Sequence, residues 1–169
     1  MSNALESILM RRKKPEMVEY LNNHPEHFDE AMHLALSQEL PFCWRAAWLI
    51  GGHIKKNDPR VRPYIRKIIE VIPESNDGHQ RELLKILLVM DLEEEHESLL
   101  FDLAVTLWEQ IRKKPSVRFF AFKCMVRTAE KYPELTNEIL VLAQPHYINP
   151  LSPGIRNSIL KTLKKLGNN

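Results

Sequence analysis

Four arginines divide this chain at nearly equal intervals: Arg45, Arg81, Arg118 and Arg156 are separated by 36, 37 and 38 residues. Apolar residues fall at matching offsets around each of them. Three residues after the arginine come Trp48, Leu84, Ala121 and Ile159, and seven after come Gly52, Leu88, Met125 and Leu163. One before come Trp44, Gln80, Val117 and Ile155. Offsets of −1, +3 and +7 trace one stripe of a 3.6-residue helix, the face that a repeated unit buries. Gln80 breaks the column. A period of this length accommodates two helices and their turns, so the chain reads as stacked helical hairpins.

Prolines supply the punctuation. Pro41, Pro115 and Pro153 precede their arginines by four, three and three residues, and Gly78 precedes Arg81 by three. Proline suits the first turn of a helix, where its missing N–H would have no partner. The second helices of the hairpins are therefore predicted over about 41–56, 77–90, 116–131 and 152–166, and the first helices over about 26–39, 60–72, 94–113 and 134–144. Asn57-Asp58-Pro59, Pro73-Glu74-Ser75-Asn76 and Tyr132-Pro133 break the pattern between them. Residues 4–22, interrupted by Pro15, are expected to form two short helices capping the stack, with Arg11-Arg12-Lys13-Lys14 as its polar outer face. The expected organisation is one domain over 1–169, with a cap in 1–24 and repeats in 25–166. No useful strand alternation occurs, so the fold class is all-α. Trp48, in the apolar column, is expected in the core, where truncation to alanine costs about 3–5 kcal/mol.

With 169 residues, 44% of them apolar, the chain can bury a substantial core without metal or disulfide support. Cys43 and Cys124 lie in apolar helical stretches and read as small buried hydrophobes in a reducing compartment. Gly51-Gly52 sits inside a helical run, where small residues permit close helix packing. The N-terminal residues lack the basic and apolar regions of a signal peptide, and no run of about 18 apolar residues exists to span a membrane. The expectation is a cytoplasmic protein with no membrane partner.

Catalytic patterns are sparse. His24, His27 and His33 with Asp29 and Glu30 form the densest group of metal-ligand types. On a helix, however, an i, i+3, i+6 series drifts around the axis and lacks the i, i+4 spacing of paired zinc ligands. Glu93-Glu94-Glu95 with Glu97 opens a long helix, where carboxylates complement the positive end of the helix dipole. The sequence contains no nucleophile elbow, phosphate loop or paired CxxC. We expect no catalytic residue, no metal and no cofactor.

Pro59-Arg60-Val61-Arg62, Ser116-Val117-Arg118 and Gly154-Ile155-Arg156, each followed by an apolar stripe, resemble the starts of HEAT and armadillo-type repeats. The stretch from His24-Pro25-Glu26 through Cys43-Trp44-Arg45-Ala46-Ala47-Trp48 resembles small bacterial HEAT-like proteins. The resemblance spans about residues 25–166. It implies an α/α superhelix of about four HEAT-like hairpins behind the N-terminal helical cap. Asp58-x-x-Val61-Arg62 resembles the turn inside such a repeat, yet Arg62 follows Arg45 by only 17 residues, so which helix layer is concave stays open. A HEAT-like family of alkylpurine DNA glycosylases is similar in repeat type and in placing Trp44, Trp48 and basic residues on second helices. No tryptophan there has an acidic residue one turn on, so no catalytic residue carries over.

Charge is unevenly divided between the two layers. The predicted second helices carry 13 basic residues against Asp77, Glu82 and Glu130, whereas the first-helix layer, counted with its flanking residues over 26–39, 60–74, 93–114 and 133–148, carries 7 basic and 14 acidic ones. The whole chain is nearly neutral at +2. In HEAT-like stacks the second helices usually line the concave surface, the one that solenoids use for binding. Arg45, Arg81, Lys85, Arg118, Lys123, Arg127, Arg156 and Lys161 are therefore the expected partner-binding residues. The other reading of the four aligned arginines is a structural ladder, bonded to neighbouring turns and carboxylates. Lys123 with Arg127, and Lys161 with Lys165, are like-charged i, i+4 pairs that helix stability alone does not ask for. The sequence thus points to a non-catalytic binding or scaffold module whose basic face takes an acidic protein segment or another polyanion. Nucleic-acid binding is the alternative, and a glycosylase-like enzyme stands behind both.

Overall fold

The computed structural model describes residues 4–167, and among them every regular element is a helix and none is a strand. The all-α class expected from the sequence is what forms. The described chain separates into two compact units, one ending at Asp91 and the other beginning at Leu92.

The first unit opens with two short helices, α1 (Ala4–Arg11) and α2 (Lys14–Asn23). Pro15 sits in the first turn of α2, as its missing donor favours. A 3₁₀ turn over Pro25–His27 leads into α3 (Phe28–Ala35), followed by α4 (Phe42–His53). A second 3₁₀ turn, Arg62–Tyr64, leads into α5 (Ile65–Val71), and a third, Ile72–Glu74, closes it before α6 (Asp77–Leu88). Asn76 caps α6 by accepting the His79 N–H at 3.1 Å. After α4 the chain reverses through Asn57 in the left-handed region (φ 55°), and its N–H donates to the Val89 carbonyl at 2.7 Å.

Helix α4 is the hub of this unit, in contact with α1, α2, α3 and α6. Packing on so many sides widens its buried arc, and small residues let the neighbours approach: Cys43, Ala46, Ala47, Leu49 and Ile50 are all buried. Gly52 faces α2, where an added Cβ would lie 2.3 Å from Lys14 Cε and 3.4 Å from Val18 Cγ2. The buried stripe of α4 therefore differs from the expected column. Trp44 and Trp48 are only half-buried and Gly52 is exposed, so Trp48 is not the core residue that its offset implied.

The second unit comprises α7 (Glu94–Glu109), α8 (Pro115–Lys131), a 3₁₀ turn at Pro133–Leu135, α9 (Thr136–Leu142), α10 (Pro145–Ile148) and α11 (Pro153–Leu166). Here α8 is the hub, touching α7, α9 and α11. Its −1, +3 and +7 residues, Val117, Ala121 and Met125, are buried as the column requires. Trp108 fills the centre: its ring lies 5.2 Å from that of Phe122, and its indole N–H donates to the Leu142 carbonyl at 2.7 Å. A buried indole needs such a partner. The one-turn helix α10 falls between two expected helices and begins at Pro145.

Candidate functional site

Three of the four aligned arginines clamp carbonyl groups at or just beyond the ends of other helices. The last carbonyls of a helix have no intrahelical donor, and arginine's fork of N–H groups can supply one. Arg45 donates through Nε to Leu9 O, in the last turn of α1, and through Nη2 to Arg12 O at 3.0 Å. Arg118 donates to Trp108 O at 2.8 Å, in the last turn of α7, and to Tyr147 O at 2.6 Å. Arg156 donates to Asn149 O and Leu151 O at 3.0 and 3.2 Å, just beyond α10. Arg118 is 0% exposed and stacks 4.5 Å from the Trp108 ring centre, so it is removed from the expected partner-binding residues. Burial lowers its pKa, yet a guanidinium with so high an intrinsic value remains charged. Arg45 and Arg156 are half-buried.

The second hairpin departs from the pattern and explains the anomalous Gln80. Its amide donates to Ile72 O at 2.8 Å, clamping the end of the preceding helical segment from one residue earlier than arginine does elsewhere. Arg81 is thereby released and pairs with Glu82 at 2.8 Å. The Glu82 carboxylate, 1% exposed, accepts from Arg81 through one oxygen and from Lys85 Nζ through the other, also at 2.8 Å. Lys14 reaches the same neighbourhood from α2, its ammonium 5.0 Å from the Trp48 ring centre. Burial lowers the Lys14 pKa, the Lys85 charge lowers it further, and Glu82 opposes both. Trp44 and Trp48 lie 6.2 Å apart, with the Arg45 guanidinium 5.4 Å from Trp44. The first unit thus presents two half-exposed indoles, each attended by a cation.

The second unit repeats that association. Lys123 is exposed on α8, its ammonium 4.8 Å from the Phe119 ring centre and 5.5 Å from that of Phe120, and both rings are half-exposed. Arg127 follows one turn later, half-buried, and Lys161 is exposed on α11, which packs on α8. The opposite polarity gathers on the first-helix side. A cavity of about 300 Å³ is lined by Glu94, Glu97, Asp102, Glu134 and Glu138, with Phe101 and Leu135 among its apolar walls. Glu97 is buried there and accepts from Lys131 Nζ and Tyr132 Oη, both at 2.9 Å. That carboxylate raises the pKa of both partners.

The histidines disperse into separate roles. His24 bonds Glu26 at 3.2 Å, His27 bonds the Tyr20 hydroxyl at 2.8 Å, and His33 packs edge-on against Tyr64, whose hydroxyl donates to Asp29 at 2.9 Å. Among the described residues no three His, Cys, Asp or Glu side chains converge as metal ligands. His79 is fully buried, with Nε2 2.7 Å from the Ala35 carbonyl and Nδ1 unpartnered, and burial lowers its pKa. His53 is also lowered, by burial and then by Arg60. Both cysteines are buried and free; burial raises the Cys43 pKa and pushes that of Cys124 up to about 12, leaving neither a ready thiolate.

Several of these residues escaped the sequence reading. The apolar column puts Trp44 and Trp48 in the core stripe, and the cap reading puts Lys14 on a solvated face. Glu82 stood as one stray acid among cations, although its i, i+3 spacing to Lys85 carried a local signal. Nothing in the spacing could bring Lys14 to Trp48.

Helical hairpins clamped end to end by a recurrent arginine define an all-α repeat protein. The sequence matches the HEAT repeat domain family over residues 1–166, and the chain belongs to that family. It is a helical-repeat scaffold or binding module. No curated protein and no solved structure is matched by this sequence. Among the described residues no helix is long and apolar enough to cross a membrane.

Proposed function

We propose that this HEAT-repeat chain is a non-catalytic binding module whose second helices hold an acidic protein segment. The observation that carries the reading is the recurrence, within each unit, of cations beside half-exposed aromatic rings: Lys14 and Arg45 with Trp48 and Trp44, and Lys123 with Phe119 and Phe120. Aromatic rings supply large contact area at little entropic cost, while the cations select acidic side chains. Such a surface suits a segment that alternates carboxylates with apolar residues. Of the eight residues expected to bind, this reading keeps Arg45, Arg81, Lys85, Lys123, Arg127 and Lys161, with Lys14 joining them.

Single-stranded nucleic acid is the competing occupant, since exposed rings beside cations also stack bases. The small net charge of +2 favours the protein segment. A glycosylase-like reaction finds no support, because the buried Glu82 is held by two cations and α8 carries only Glu130 as an acid.

The test reverses Lys123 and Lys161 to Glu. The two lysines are exposed, and surface substitutions typically shift stability by about 0.5 kcal/mol or less each. Melting should therefore hardly move. Binding to an eight-residue peptide alternating Glu and Leu, followed by fluorescence anisotropy at low salt, should be lost, and parent binding should weaken as salt rises. A parent that ignores the peptide at low salt defeats the proposal. A parent that prefers single-stranded DNA to the peptide replaces it with the nucleic-acid reading.

A further inference from the structure

We propose that the acidic cavity of the second unit is a binding site for a guanidinium group, taking one arginine side chain of a partner protein. It stands apart from the acidic-segment reading, so either can fail without the other. The cavity, about 300 Å³, lies at the lower end of the range of ligand pockets. Helix α7 contributes Glu94, Glu97, Phe101 and Asp102, at the i, i+3, i+7 and i+8 positions of one helix face. Tyr132, just after α8, closes one side, and the following 3₁₀ turn and α9 bring Glu134, Leu135 and Glu138. All of these belong to the unit that begins at Leu92.

Acidic residues gathered on a surface need no ligand, but two observations set this group apart. The carboxylates surround a hollow whose walls include the buried Phe101 and the half-buried Leu135. Within it, Glu97 is 8% exposed, and its two bonds, from Lys131 Nζ and Tyr132 Oη, both go to Oε2. Oε1 therefore has no donor among the described residues. A carboxylate oxygen at that depth ordinarily has one, and the cavity is where a donor can enter. Glu94, Asp102, Glu134 and Glu138 likewise make no ion pair among the described residues. Glu94 and Glu138 sit in the first turns of their helices, where the helix dipole favours them. Each helix start is worth about half a positive charge and Lys131 one more, against five carboxylates, which leaves an excess of about three negative charges.

The walls also select the kind of cation. Among the described residues no three carboxylates converge as metal ligands, so these charges are too dispersed to share a bare ion. A guanidinium spreads its charge over a plane and offers five N–H groups to separate oxygens, while its aliphatic stem lies against apolar side chains. In this site one N–H is donated to Glu97 Oε1, the stem lies along Phe101 and Leu135, and the rim carboxylates hold the remaining donors. Lysine's compact, strongly hydrated ammonium gains less from oxygens spread in this way.

The test titrates the full chain at low salt with an N-acetylated, C-amidated Gly-Arg-Gly peptide, followed through backbone amide chemical shifts. A second peptide carries citrulline, which keeps the shape of arginine and lacks its charge. The arginine peptide should shift the amides of Glu97, Tyr132 and Leu135 and bind at least about tenfold more tightly than the citrulline peptide, the scale of one charge-assisted bond. Glu134→Gln combined with Glu138→Gln alters two exposed residues, so melting should stay within about 2 °C of the parent. Binding by that variant should fall about tenfold. Glu97→Gln, measured well below its own melting temperature, should weaken binding at least as much. Equal binding of the two peptides, or parent-like binding by the Glu134/Glu138 variant, overturns the assignment. Displacement of the peptide by an equal concentration of spermidine would give the site to a free polyamine instead, and displacement by equimolar calcium would give it to a metal ion.

Discussion

Arg118 provides a direct test of the difference between an arginine that holds the fold and one that holds a partner. Arg118→Met keeps most of the side-chain volume and removes both donors. Trp108 O, on a fully buried residue, would then lack its side-chain donor, a loss of about 1–3 kcal/mol. Tyr147 is half-buried, so water replaces part of that bond and the loss is about 0.5–1.5 kcal/mol. Losing the stack 4.5 Å from Trp108 adds about 1 kcal/mol. Against these stands the relief of no longer burying a charge, on the order of 1–2 kcal/mol. The net expectation is about 2–4 kcal/mol, or about 5–12 °C in melting temperature for a chain of this length. Thermal circular dichroism at pH 7 measures it, with Arg156→Met as the internal control. Arg156 is itself half-buried and one of its acceptors, Asn149 O, belongs to an exposed residue, so its replacement should cost less than that of Arg118, about 1 kcal/mol. If Arg118→Met melts within about 2 °C of the parent, or if the two variants are equally destabilised, burial of the clamp does not set its worth and the reasoning fails.

Trp48→Ala should cost about 1–2 kcal/mol in urea titration, because the indole is half-buried, and a loss above about 3 kcal/mol would place it in the core after all. Stability should also decline as pH falls from 7 towards 5. His79 and His53 both have folded pKa values below the unfolded value of 6.5, so the unfolded chain takes up protons there before the native one does. The stabilisation is complete above about 6.5 and drains away as pH falls towards the folded values. His79→Gln, which keeps a donor for Ala35 O, should flatten the melting profile over that window; an unchanged slope would acquit the buried imidazole.

How much of this was legible beforehand depended on whether the cause was local. Prolines at helix starts and a 3.6-residue apolar stripe are local signals, and they placed α6, α8 and α11 within a few residues of their observed ends. Three of the first helices begin later than expected because Pro25, Pro63 and Pro133 turn their opening residues into 3₁₀ turns, and all four, α7 included, end earlier than expected. Exposure was harder to read. Arg45, Arg118 and Arg156 share an offset and a kind of acceptor, yet only Arg118 is sealed off, since that depends on what packs over the side chain. Gln80 departs from the apolar column because its amide donates to Ile72 O. The place of Trp48 followed from contacts of α4 with four other helices, which no single stripe encodes. The meeting of Lys14 with Trp48 depended on where a capping helix docks.

The clamps also bear on how such a chain acquires its shape. None reaches beyond the spacing of one repeat: Arg45 spans 36 and 33 residues to its acceptors, Arg118 spans 10 and 29, Arg156 spans 7 and 5, and Gln80 spans 8. Most point backwards, to segments already synthesised when the arginine or glutamine emerges from the ribosome. Each hairpin can therefore lock as it appears, without waiting for a distant strand or a closing partner. Low sequence separation of this kind goes with rapid folding, and in a linear array it lets units be gained or lost with effects confined to their neighbours. The exception is the acceptor at Tyr147, which lies ahead of Arg118, so that guanidinium must wait half-bonded until α10 arrives.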